Sequence, residues 1–219
     1  MTKVRDFMSG LTHCIGAVLS LAGLVVLICF ASIFGDSYDI VSFTIFGITL
    51  ILMYLFSTLY HWLNISEKGI KVFKKLDHIM IYILIAGSYT PVCLGPLRGP
   101  WGWSIFGVVW TLAIFGTILS SIWISAPRGL TTSIYIGMGW LALLIIKPLI
   151  EVFNNSGLLY SLLWLVLGGI LYTIGGIIYG LKIPKTKFKQ FGFHEIFHIF
   201  VMLGSFCHYW FVLNYVIKV

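Results

Sequence analysis

His194-Glu195-Ile196-Phe197-His198 sets two imidazoles and a carboxylate at helical spacing. Residues four apart on an α-helix share a face, so both histidines can aim at one point. That pairing suits zinc, and in soluble metalloproteases the intervening Glu serves as general base. Here the motif opens a long apolar run, so any third ligand must come from another segment at the same depth.

The rest of the chain defines what that depth is. Its 219 residues are 59% hydrophobic and only 10% charged, against about 25% charged in a soluble domain. A globule of this length cannot hide so much apolar surface, so the chain is an integral membrane protein. Cys14, Cys29, Cys93 and Cys207 are scattered through apolar runs without CxxC spacing. They read as small core residues, not as a disulfide framework or a zinc cluster. Residues 1–219 form a single domain with no low-complexity tract or repeat.

Seven runs reach the roughly 20 apolar residues needed to cross a bilayer. They lie near Leu11–Phe34, Ile40–Leu63, His78–Gly95, Trp101–Ile124, Thr131–Ile150, Leu158–Leu181 and His194–Ile217. The first is too long for a signal-peptide core and lacks a small-residue cleavage site, so it is read as a retained helix. Continuous rather than alternating hydrophobicity favours helices over a barrel. Short connections make neighbours antiparallel, giving an all-α seven-helix bundle. Gly168, Gly169, Gly175, Gly176 and Gly180 suggest close helix contact in the sixth run.

Loop charge sets an expected orientation. Lys3, Arg5, Lys68, Lys71, Lys74, Lys75, Arg128, Lys182, Lys185, Lys187 and Lys189 fall on one side. Arg98, Lys147 and Lys218 fall on the other, eleven basic residues against three. The N-terminus is therefore expected in the cytoplasm and the C-terminus outside, opposite to G-protein-coupled receptors, so no G protein is implied. The net charge of +7 is this topology signal and a contact for anionic lipid head groups. It offers no basic soluble surface for nucleic acid.

This topology brings distant residues together. His61 ends the second run, Asp77 starts the third, and His194 and His198 open the seventh, all on the basic side. A catalytic zinc takes three protein ligands plus water, and His61, His194 and His198 supply three. Ser57 sits one turn before His61, where it can orient water or substrate or simply bond back within its helix. Asp77 reads as a partner of the metal's water, as a helix N-cap, or as both. Glu195 suits the first-turn dipole and could pair with Lys187 or Lys189 as readily as act as a base. His208 lies about 15 Å along the helix from His198, too far for the same metal. It and His13 are read as polar helix–helix contacts. His78 points about 100° away from Asp77 and is read as structural. Trp62, Trp101, Trp103 and Tyr209-Trp210 read as interfacial belt and core.

Ser57-x-x-x-His61, Asp77 leading to Gly87-Ser88-Tyr89-Thr90-Pro91, and His194-x-x-x-His198 resemble the motifs of the hemolysin III family. Thr12-His13-x-x-Gly16 and Gly204-Ser205-x-x-His208 extend the resemblance over nearly the whole chain. That family is grouped with the progestin and adipoQ receptors and, more distantly, with alkaline ceramidases. The resemblance implies a seven-helix bundle with a cytoplasmic-side zinc on three His and a water hydrogen-bonded to the Asp. It also implies hydrolysis of lipid amides, as in the ceramidase relatives. One departure is local. Bacterial relatives often carry an acidic pair and an Asn before the Thr/Ser-His motif, where this chain reads Arg5-Asp6-Phe7-Met8-Ser9.

Three functions compete. The first is a multi-pass hydrolase of the bacterial plasma membrane acting on lipid-like amides or esters, with zinc as cofactor and Asp77 taking the proton. The second is a cytolytic protein, although seven uninterrupted apolar helices leave no soluble form to reach another cell. The third is a membrane-homeostasis sensor with structural zinc. An intramembrane protease would need a further Asp-bearing helix, and the 21 residues after His198 contain no Asp.

Overall fold

Asp36 ends one apolar run and starts the next. Its carboxylate accepts the N–H groups of Tyr38 (2.8 Å) and Asp39 (3.1 Å), and the Asp39 carboxylate accepts the N–H of Asp36 in return (2.9 Å). This reciprocal cap satisfies the first orphan donors and reverses the chain between α1 (Phe7–Phe34) and α2 (Ser37–Trp62). Arg98 Nη1 bonds Asp36 at 2.5 Å and ties the turn at residues 95–99 to the same end. A computed structural model describes residues 4–123, 125–185 and 191–219. Among these the regular elements are all helical, and seven helical stretches are long and apolar enough to span a membrane.

The third span differs from its sequence reading. Ser66 Oγ accepts the N–H of Gly69, and α3 runs from Glu67 to Leu94. Asp77 thus lies ten residues inside the helix and is not its N-cap. The Lys-rich turns before it are too polar for a hydropathy window, yet they are helical. Pro100 opens α4 (Pro100–Ile122), where its missing N–H costs nothing.

The fifth span is broken. It comprises α5 (Arg128–Trp140), a 3₁₀ turn (Leu141–Ile145) and α6 (Ile146–Asn155). Tyr89 Oη of α3 shares its proton between the carbonyls of Gly139 (2.5 Å) and Met138 (3.0 Å), the latter also accepting the Leu141 N–H, and accepts the N–H of Ala142 (2.8 Å). Such a break is tolerated within a membrane only where a neighbour meets the exposed backbone groups. A short 3₁₀ turn leads into α7 (Leu162–Leu181), and α8 (Phe193–Phe211) ends in a π turn over Val212–Val216.

Consecutive helices α1 to α4 pack side by side, α8 packs on both α7 and α1, and α5 leans on α7. Phe43, Phe46, Tyr82, Phe153 and Phe211 fill the centre. Of the glycines expected to permit close approach, Gly168 and Gly175 face α8, and Gly176 faces Ile136 of α5. Gly180 makes only ordinary contacts, and Gly169 faces open space. The cysteines are free; Cys93 and Cys207 are buried, whereas Cys29 lies on the outer surface. Lys3, Ile124, Lys187 and Lys189, used in the readings above, lie outside the described residues.

Candidate metal centre

The first turn of α8 is built by Glu195, whose Oε2 accepts the N–H of Gly192 at 2.7 Å. That closure starts the helix at Phe193, so His194 and His198 stand one turn apart on the face toward α2. His61, in the last turn of α2, meets them. Its Nε2 is 3.1 Å from His194 Nε2, and one ring nitrogen from each of the three residues lies within 4.8 Å of the others. A tetrahedral zinc with bonds of about 2.0–2.1 Å separates its nitrogen ligands by roughly 3.3 Å. The spacing therefore fits a metal ion. Two facing nitrogens alone could share a proton instead. One proton cannot serve three, so the third imidazole favours a cation.

The outer nitrogens are held by the N-terminal segment. His61 Nδ1 lies 3.4 Å from Asp6 Oδ2. His198 Nδ1 lies 3.2 Å from the Ser9 carbonyl and 3.0 Å from Thr12 Oγ1, which itself donates to Ser9 O. Both contacts favour an Nδ1–H tautomer, leaving the Nε2 lone pairs for a metal. The same segment clasps both ligand-bearing helices. The Asp6 N–H donates to His61 O, Arg5 Nη2 donates to Tyr60 O at 2.7 Å, and Ser9 Oγ donates to Glu195. Asp6 and Ser9 were quoted from the sequence only as a departure without a role. Their signal was a lone acid and a hydroxyl just before the first apolar run, on the basic side.

Glu195 has both carboxylate oxygens engaged, by Ser9 and by Gly192. Its expected lysine partners lie outside the described residues. Ser57 is buried, and its hydroxyl makes no hydrogen bond, so it does not bond back within α2. The Asp77 carboxylate is the polar group its hydroxyl addresses.

Ser57, Asp77, His194 and His198 share the wall of one cavity of about 240 Å³. The cavity runs along α3 from Asp77 to Val92, roughly 22 Å at 1.5 Å per residue. Its walls are mainly aliphatic and aromatic. Leu143 and Val166 line it and are also 57% and 47% exposed, so it opens on the flank between the broken fifth span and α7. His78 lines it as well.

The remaining histidines pack through their rings. His208 stacks on Tyr172 of α7 (5.4 Å between centroids), a helix–helix contact through the ring face where a polar one was expected. His13 stacks on His198 (3.5 Å) and meets the Tyr54 edge, but both its ring nitrogens are buried without partners. Ring packing rather than a polar contact therefore holds His13.

Comparison with known proteins agrees with this architecture. A family model described as haemolysin-III related matches residues 1–209. The chain is 42% identical over 219 residues to a hemolysin-3 homolog of Bacillus subtilis, covering 100% of this chain and 97% of that one. It is 42% identical to hemolysin-3 of Bacillus cereus, with 99% and 96% covered. It is also 29% identical to the adiponectin receptor protein of Drosophila melanogaster, over 90% of this chain and 48% of the receptor.

Proposed function

The chain belongs to the haemolysin-III related family, and from that premise we propose a zinc-dependent membrane hydrolase of lipid-like amides or esters. One observation carries the reading. Three convergent imidazoles stand at one end of an apolar, flank-opening cavity whose other polar wall is Asp77 with Ser57. A structural ion has no need of a lipid-sized chamber beside it.

His61, His194 and His198 would hold the metal, with Asp6 and the Ser9 carbonyl fixing two of the rings. Zinc bound there supplies a Lewis acid that brings the acidity of water close to neutrality. Asp77, reaching in from a third helix, accepts the proton of the attacking water and returns it to the leaving amine or alcohol. Ser57, with no bond of its own, orients that water or the substrate carbonyl. The apolar walls bind the acyl chain and exclude bulk water. Glu195 builds the first turn of α8 and is not the base.

The proposed setting is the plasma membrane of a bacterial cell, with the metal centre on the cytoplasmic side and membrane lipids as partners. The eleven-to-three basic asymmetry supports that orientation. A second reading, membrane lysis, takes its support from the names of the Bacillus relatives and of the family. A third makes the same centre a sensor with structural zinc.

The deciding experiment is metal analysis of purified protein beside His61→Ala, followed by hydrolysis assays on lipid amides and esters. Zinc lost in the variant, with turnover in the parent alone, is the expected result. Zinc without turnover on any lipid would favour the sensor.

A further inference from the structure

Seven residues past His198, about 10 Å deeper along α8, Ser205 stands between two tyrosines. Tyr54 Oη of α2 donates to Ser205 Oγ at 2.7 Å, and Tyr172 Oη of α7 lies 2.8 Å from the same oxygen. Counting protons orients the chain. Tyr54 is buried, 2% exposed, and among the described residues its hydroxyl bonds Ser205 alone, so its proton goes to Ser205. Ser205 then has one proton to give, and Tyr172 Oη is the acceptor within reach. The Tyr172 proton is left over, and Tyr172 lines the cavity.

His208 stacks flat on the Tyr172 ring and lines the cavity beside it. Among the described residues its ring nitrogens have no hydrogen-bond partner, and a neutral imidazole offers one donor and one acceptor. An unspent tyrosine proton and an unspent imidazole thus share one patch of an otherwise apolar wall. Leaving such groups unpaired away from water is costly. A plain alkyl chain pairs neither of them, whereas a hydroxyl, which both accepts and donates, pairs both.

We propose that the cavity has two polar poles, and that Tyr172 and His208 bind a hydroxyl carried part-way along the chain of a lipid whose head lies at the His61–His194–His198 cluster. The proposal rests on the lipid-binding reading given under the proposed function and narrows its ligand class to mid-chain hydroxylated acyl lipids. Tyr54 and Ser205 act as positioning residues that turn the Tyr172 proton toward the ligand. The poles are set about 10–15 Å apart by the rise from His198 to Ser205 and His208, so a hydroxyl at the chain end falls beyond the second pole.

The test is displacement of a fluorescent fatty acid from the purified full-length protein by three competitors. These are octadecanoic acid, its mid-chain hydroxy derivative and its terminal hydroxy isomer. The mid-chain derivative is expected to bind about tenfold more tightly than the parent acid, and the terminal isomer no more tightly. Tyr172→Phe and, separately, Ser205→Ala should bring the mid-chain to parent affinity ratio close to one. Equal binding of all three acids to the unaltered protein overturns the second pole and leaves the lipid cavity standing. Displacement by none of them overturns both. A ratio that survives Tyr172→Phe removes Tyr172 from the pole and overturns the assignment.

Discussion

Asp6 Oδ2 stands 3.4 Å from His61 Nδ1, on the side of the ring away from His194. A residue of the N-terminal segment thereby orients a ligand 55 positions later in the chain. Carboxylates in this position raise ligand basicity, and removing one costs about 10–100-fold in metal affinity. Asp6→Ala should lower zinc affinity by that factor without abolishing binding, measured by competition with a chromophoric chelator. Unchanged affinity would mean that the contact only clasps α1 to α2.

Loss of a ligand should be more severe. Alanine at His61, His194 or His198 should each remove most of the metal and lower the melting temperature, because the ion bridges α2 and α8. His208→Ala should keep the metal, since its ring lies on Tyr172. Equal metal loss from His208→Ala, in protein that remains folded, would redraw the ligand set.

Asp77 and Glu195 are separable. Asp77→Asn should retain most of the zinc and reduce turnover by about a hundredfold or more. Glu195→Gln should keep turnover within a few-fold and lower stability by about 1 kcal/mol through weaker bonds to Ser9 and Gly192. The reverse pattern would transfer the base role to the residue between the two histidines.

Tyr89 is the next target. Its hydroxyl serves three backbone groups at the break in the fifth span. Tyr89→Phe removes the partner of Gly139 O and of the Ala142 N–H and should cost about 1–3 kcal/mol, read as a lower melting temperature with metal content intact. A neutral substitution would show that water replaces the hydroxyl there.

Topology offers an independent check. A reporter fused after Lys189 should read cytoplasmic, and one fused after Val219 should read external. Opposite signals would move the metal centre to the outer face.

The spans and the three-histidine cluster were legible because hydropathy, i,i+4 spacing and loop charge are local or additive signals. Each can be read without knowing how the helices pack. The start of α3 was not, because residues 67–76 fold as a polar helical extension that a hydropathy window rejects. The break at Leu141–Ile145 was hidden for the opposite reason. Its sequence is continuously apolar, and the hydroxyl that stabilises it comes from Tyr89, some fifty positions earlier. Asp6 and Ser9 carried too little pattern to be assigned a role, since their partners are set by how α1 meets α2 and α8.

The clasp of Asp6 and Ser9 on His61 and His198 also orders events during synthesis. If the cluster holds zinc, two of its three imidazoles belong to α8, and the groups that steady the rings belong to the segment that opens α1. A nascent chain arrested before Phe193 carries one of the three, His61, and should not retain the ion. Metal uptake would then be a late step, and a loaded ion would mark a chain in which α1 and α8 have found each other in the bilayer.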